Sequence, residues 1–336
     1  MMLKKVLISI VILLLIGLGV WKIFFSQDTI KDKIENITQN LTSYDIEGNM
    51  ELINGEEKRN FNVKVSYLKQ DNEDLFKVTL YDTSINQEQI LLRNKEGVYV
   101  LSPSLNKAHK FKSGWPLNSA KPYIYQSLLT AFDKEYEIQK MDDGFIVTSN
   151  VEFKNSPLYK KQEIKFSNDL IPVWVNLYNS KDEVVARINF TKVNVGVTFD
   201  EKHFDVNESI NLSKENTSDN VNASFDELPY MLTGSDLNIE LKDSVVVNLE
   251  NENLHMLVYE GDNNFTVIEK VSEIEKEVSV TEVEGEIVLT INGFATLNDN
   301  KVSYTYNGIE VVIYGDSLDV ATYLNIVNGM EVSTSK

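Results

Sequence analysis

The chain has 336 residues, 42% of them hydrophobic and 25% charged, with a formal net charge of -19 and no cysteine. That length leaves room for two domains beside a membrane anchor, and the acidity disfavours nucleic acid and flat adhesion to anionic lipid as partners. Lack of cysteine excludes disulfides, a thiol nucleophile, a thiolate metal site and a lipid-modified cysteine.

Val6 to Trp21 carries no charge, and Ile23 to Phe25 resume the apolar run after Lys22. Crossing a bilayer core takes about 20 apolar residues as a helix, and the run reaches that length if Lys22 snorkels to the headgroups. The flank Phe24 to Gln27 offers no A-x-A-like cleavage site, which argues against the competing reading of a removed leader. Lys4 and Lys5 precede the run, so the positive-inside bias favours a cytoplasmic N-terminus. Residues 1–27 are thus expected to be a cytoplasmic tip and transmembrane anchor in the cell membrane, with the bulk of the chain extracytoplasmic.

Ile30, Ile34, Ile37 and Leu41 recur at helical spacing, which predicts an amphipathic helix from Asp28 to Leu41. Strand signals follow. Phe61, Val63, Val65 and Tyr67 alternate with polar residues, as do Phe76, Val78 and Leu80, so each stretch has one buried and one wet face. Asn54-Gly55 is a hairpin turn between strands. Ile90–Leu92 and Val98–Leu101 are two further short strands. A helix is expected next, with Ser119 as cap, Pro122 in its first turn and Tyr125, Leu128, Leu129 and Phe132 as its apolar stripe. Strands resume at Tyr136–Ile138, Phe145–Val151, Gln162–Phe166, Val173–Tyr178 and Val184–Phe190. Consecutive strands on short connections predict an antiparallel meander that wraps around helices over residues 28–205.

Residues 206–224 have no aromatic side chain and little to bury, and are expected to be a linker. Residues 225–336 then read as a small α+β domain. Its strand candidates end in a hairpin turned at Asn307-Gly308. A last helix follows, capped at Asp316-Ser317, with Val320, Tyr323, Leu324 and Val327 as its stripe and Asn328-Gly329 as its stop.

The stretch Leu91 to Phe132 carries a recognisable pattern. Tyr99-x-x-x-Pro103 is followed by Leu105-Asn106-Lys107, Lys110-Phe111, Trp115-Pro116, Asn118-Ser119 and Gln126-Ser127-Leu128-Leu129. It resembles the LolA-like superfamily, and within it the membrane-bound sporulation and germination proteins of spore-forming Firmicutes. Asn292-Gly293-Phe294 and Tyr304 to Gly308 resemble an uncharacterised domain that often follows the LolA-like one in that group. The resemblance covers about residues 28–330. It implies an antiparallel half-barrel closed by helices, whose apolar concave face accepts acyl chains in carrier members. Many of these relatives are anchored through a lipidated cysteine. This chain has none, and its apolar run would serve as the tether.

No catalytic machinery emerges. His109, His203 and His255 lie far apart without ligand-like spacing. Glu282, Glu284 and Glu286 alternate along one strand and read as a solvated face rather than a carboxylate pair. No phosphate-cradling or nucleophile-elbow motif occurs, and no cofactor or metal is called for. The expected function is non-catalytic binding during sporulation, germination or envelope maturation. The partner would be a lipid-like or acyl chain, or a cell-wall enzyme such as an amidase; the competing class is a cell-wall hydrolase. The candidate ligand-binding residues are Val63, Val65, Tyr67, Phe76, Val78, Leu80, Trp115, Tyr125, Leu128, Leu129 and Phe132.

Overall fold

A computed structural model describes residues 30–216, 223–233, 237–249 and 252–332. The apolar run Val6 to Trp21 lies outside them. Among the described residues no helix is long and apolar enough to cross a membrane. The chain forms two compact units, residues 1–41 and 42–336. In the first, helix α1 spans residues 30–40, within the range its periodicity predicts.

The second unit is mostly β-sheet. Its first part runs β1 (Ser43–Asn54), β2 (Glu57–Gln70), β3 (Glu73–Asp82), β4 (Gln87–Asn94), β5 (Gly97–Ser102) and β6 (Lys107–Phe111). Helix α2 (Tyr125–Leu129) follows, then β7 (Tyr136–Met141), β8 (Gly144–Asn150), β9 (Lys161–Ser167), β10 (Pro172–Tyr178), β11 (Val184–Val195) and helix α3 (Val206–Asn216). The turn between β1 and β2 is the predicted one, with Gly55 at φ 61°. A side chain there would meet the steric cost that glycine lacks.

The second part contains β12 (Tyr230–Leu232), β13 (Ile239–Asn248), β14 (Asn253–Gly261), β15 (Phe265–Val271), β16 (Ser279–Val283), β17 (Glu286–Thr290), β18 (Gly293–Asn298), β19 (Lys301–Tyr306) and β20 (Ile309–Gly315). Helix α4 (Val320–Gly329) and β21 (Met330–Val332) close it. β13, β14, β15, β20, β19, β18 and β17 pair in that order as an antiparallel seven-stranded sheet. Tyr323, Leu324, Ile326 and Val327 of α4 are buried in the core against one face of this sheet.

The large sheet is open and has twelve strands, in the order β16-β6-β5-β4-β3-β2-β1-β11-β10-β9-β8-β7. All its pairs are antiparallel except β16–β6, which is parallel. The predicted alternation holds in β2 and β3: register pairs Val63 with Leu80, Val65 with Val78 and Tyr67 with Phe76. Directly opposed residues point to one side, so these six side chains share one face, here called inner.

Four expectations need correction. Residues 206–216 are not linker but helix α3. Val206 and Ile210 pack with Phe204 on the outer face of the large sheet, against Ile90, Leu92, Tyr99 and Leu101. Three apolar side chains one helical turn apart or closer suffice to dock a helix whose other faces stay wet. The expected boundary near residue 225 also fails, because β16 leaves the C-terminal part and pairs with β6. The last helix is capped by Asp319, whose carboxylate accepts from the Thr322 N–H at 2.7 Å, rather than by Asp316-Ser317. Finally, α2 is one short turn and a half, continued by a 3-10 turn over Thr130–Phe132. Ser119 does not cap it; its hydroxyl donates to the Ile287 carbonyl at 2.7 Å.

Candidate functional site

The inner face brings most of the predicted residues together. Rings run in one contiguous series across it. Tyr125 meets Tyr44 edge-on at 6.0 Å, Tyr44 lies 5.1 Å from Tyr67, Tyr67 4.9 Å from Phe76, and Phe76 stacks on Trp115 at 4.6 Å. These are the separations at which aromatic pairs attract beyond their area. The Arg93 guanidinium lies over the Trp115 ring, 6.0 Å from its centroid. The hydroxyls are satisfied: Tyr44 donates to Gln126 Oε1 at 2.7 Å, Tyr67 to Asp74 Oδ1 at 2.8 Å, and Tyr125 to the Leu170 carbonyl at 3.0 Å. Burial pushes the Tyr125 phenol up to about 12 and raises the Tyr44 phenol well above its ordinary value.

Val63, Val65, Val78, Leu80, Leu128 and Leu129 are all buried around this series. Val65 and Val78 have no accessible surface. Phe132 is buried further along, 5.7 Å from Phe166 and 6.4 Å from Phe145. Trp115 is the one half-exposed member. The chain thus covers the inner face with its own segments. α2 and Trp115 lie over β1–β3, and the seven-stranded sheet lies over β4–β6. There Gln89 Oε1 accepts from the Phe294 N–H at 2.7 Å and its amide donates to the Thr305 carbonyl at 3.1 Å. Gly293 adopts φ 91°, which favours glycine, and a Cβ there would sit 2.3 Å from Gln89 Oε1 and displace that amide from its two hydrogen bonds.

Cavities lie elsewhere. One of about 560 Å³ opens between the β1–β2 turn, Leu158-Tyr159 and α4. Another of about 440 Å³ lies between the two sheets, lined by Gln89, His109, Ser303 and Glu310. Of the predicted residues, Val63 borders a third cavity, the groove under α3.

The three glutamates of the alternating series have separate surroundings. Glu282 is exposed on β16, Gly285 breaks the strand, Glu284 pairs with Lys112 at 3.0 Å and Glu286 is held by Asn155 and Asn118. His109, His203 and His255 fall on β6, before α3 and on β14. No cluster of three metal-ligating side chains occurs among the described residues.

Two features of the seven-stranded sheet were missed. Glu269 on β15 is 0% exposed, and burial pushes its carboxyl up to about 8. Its Oε2 accepts from the Tyr230 N–H at 2.9 Å, while Oε1 and the nearby Tyr304 hydroxyl have no hydrogen-bond partner among the described residues. The alternation Phe265-x-Val267-x-Glu269 already placed this carboxyl on the buried face. The second feature is an apolar row on the face opposite α4. Register aligns Val245, Met256, Ile268 and Val312 across β13, β14, β15 and β20. All four are at least partly exposed, Val245 at 36%. The row ends at β13, an edge strand whose residues are nearly all exposed. Glu240, Asp243, Glu252, Glu260 and Asp262 surround it, against Lys242 and Lys270.

No family model matches the chain. It is similar to the sporulation protein YdcC of Bacillus subtilis (strain 168), 26% identical over 314 residues, which span 93% of this chain and 92% of that protein. The chain resembles the LolA-like sporulation proteins over nearly its full length. Among solved structures it is similar to the MucA/MucB complex of Pseudomonas aeruginosa, at 13% identity, covering 92% of this chain and 99% of that one, with a TM-score of 0.32. It is also similar to the LolA superfamily protein NE2245 from Nitrosomonas europaea, at 12% identity, covering 53% of this chain and 96% of that one, with a TM-score of 0.30.

Proposed function

We propose that this chain is a membrane-tethered, extracytoplasmic, non-catalytic binding protein of sporulation or envelope maturation, and that its partner is a protein. The full-length similarity to a sporulation protein supports the process, and the apolar run Val6 to Trp21 supports the tether. The observation that carries the choice of partner is the row Val245, Met256 and Ile268, which runs from Val312 at the cavity between the sheets out to β13, an edge strand unpaired on its outer side among the described residues. Natural proteins blunt such edges unless something pairs with them. An added strand would continue the sheet through main-chain hydrogen bonds and extend the row with alternate side chains. The acidic rim selects a basic partner segment. An acyl chain is disfavoured because α2, Trp115 and the second sheet already fill the inner face.

A photo-crosslinking residue at Val246, which is 44% exposed on β13, tests this in sporulating cells. The reading expects one discrete protein adduct that is lost in Val245→Asp and absent when the crosslinker sits at Met141 on β7. Crosslinking to lipid alone, or equal adducts from both positions, would sink it. Release of fragments from purified peptidoglycan by the protein alone would instead favour the hydrolase.

A further inference from the structure

The outer face of β1–β4 is not sealed where α3 crosses it. A groove of about 540 Å³ remains there, within the roughly 300–1,000 Å³ of small-molecule sites. Three groups in its lining have unmet bonding capacity. Ser209 on α3 is 1% exposed, and its hydroxyl has no hydrogen-bond partner among the described residues. His203 Nε2 is likewise buried without a partner among them. Lys77 projects from β3 on the outer face, opposite Ser66, and makes no ion pair among the described residues.

The surrounding charges do not answer these groups. Glu47 is held by Lys192 at 2.8 Å and approached by Lys64 at 4.0 Å. Glu88 also faces the groove and attracts Lys77 from a distance. Burial, then Lys77 and Lys64, push His203 down to about 4, so it is neutral at pH 7 and can carry its hydrogen on Nε2. An ammonium, a hydroxyl and an imidazole N–H are then three donors facing one space. A ligand that only accepts would satisfy all three. Ile90 and Leu212 give the same space an apolar wall.

We propose that the groove between α3 and the outer face binds a small organic oxyanion, a carboxylate or a phosphate ester. Lys77 is its charge partner, Ser209 and His203 its hydrogen-bond partners, and its carbon body lies against Ile90 and Leu212. This site is independent of the β13 edge and does not rest on the protein-partner reading.

The chain has three histidines, so ring-labelled histidine gives three imidazole signals. Full-length protein in uncharged detergent at pH 7 and low salt is titrated with inorganic phosphate and, separately, with acetate. The expected result is a saturable shift of the His203 signal with at least one anion, while His109 and His255 stay in place. Response to phosphate alone assigns a phosphate ligand, to acetate alone a carboxylate, and to both an oxyanion site of either kind. Lys77→Met should weaken binding by about tenfold or more, the loss of one charge-assisted contact, and Ser209→Ala by less. Unchanged His109 and His255 signals show that each variant is folded. A His203 signal that moves no more than the other two with both anions would overturn the proposal. So would a Lys77→Met variant that binds as tightly as the parent.

Discussion

Strands β2 and β3 present two faces built from alternate residues, and the chain covers both, with opposite results. On the inner face Val63, Val65, Tyr67, Phe76, Val78 and Leu80 meet α2 and Trp115, and nothing polar is left unmatched along the ring series. On the outer face Asn62, Lys64, Lys77 and Thr79 meet α3 over a groove, where a serine and an imidazole remain unpartnered. The same backbone therefore supports a sealed layer and an open one. What decides between them is the match between cover and face. Apolar rings close on one another without directional demands, whereas scattered polar groups are satisfied only at particular geometries.

Large-to-small substitutions should expose this contrast most strongly. Leu91 and Ile210 are both fully buried, one on the inner face and one on α3. Leu91→Ala is expected to cost about 2–5 kcal/mol of global stability in denaturant titration. Ile210→Ala should cost less than half as much. Its effect should appear as faster amide exchange within residues 206–216, because α3 opens without the rest. Equal losses would erase the distinction between the two faces.

Overpacking comes next. Val78→Trp should destabilise by about 1–3 kcal/mol, and the parent should not bind a fluorescent fatty acid. Parent binding that Val78→Trp abolishes at unchanged melting temperature would instead mean that the inner face holds an acyl pocket.

The third test concerns pH. Glu269 has a folded pKa of about 8 against about 4.3 in an unfolded chain. Between those values the folded state holds a proton that the unfolded state has released, so stability falls as pH rises. The contribution is fully present below the unfolded pKa, is lost as pH rises through the folded one, and is at most about 1.4 kcal/mol per pH unit. Glu269→Gln should remove this slope, so its melting temperature gains on the parent between pH 6 and 8. A constant offset would mean that the carboxyl is solvated. The smallest effect belongs to Lys192→Met, which breaks surface pairs to Asp45 and Glu47 and should leave the denaturation midpoint close to the parent's, because exposed pairs contribute little.

Much of the large sheet was legible in the sequence. Period-two alternation named the inner-face residues of β2 and β3, and the Asn-Gly pairs placed two turns where Gly55 and Asn307-Gly308 adopt positive φ. α3 was not legible, because Val206-Asn207-Glu208-Ser209-Ile210 carries too few apolar residues for a helical period to stand above its polar neighbours. β16 escaped for a different reason. Glu282, Glu284 and Glu286 read as one solvated strand, and nothing local announces a parallel partner so distant in sequence. The apolar positions of the site were readable, but whether they enclosed space was not. That depends on Trp115 and α2 settling onto them, a tertiary outcome that periodicity does not encode.

The β16–β6 pairing also bears on how the molecule is made. Ser279 pairs with Lys107 and Val283 with Phe111, so the edge of β6 stays unpaired until the chain has grown to Val283. Domains ordinarily fold as they emerge, from the N-terminus onward. Here the first six strands can form a meander early, yet their last edge waits for a segment more than half the chain's length later. Long-range pairings of this kind slow folding and leave an unpaired edge exposed meanwhile. A chain truncated before residue 279 would keep that edge bare for good, and aggregation is the fate expected of it.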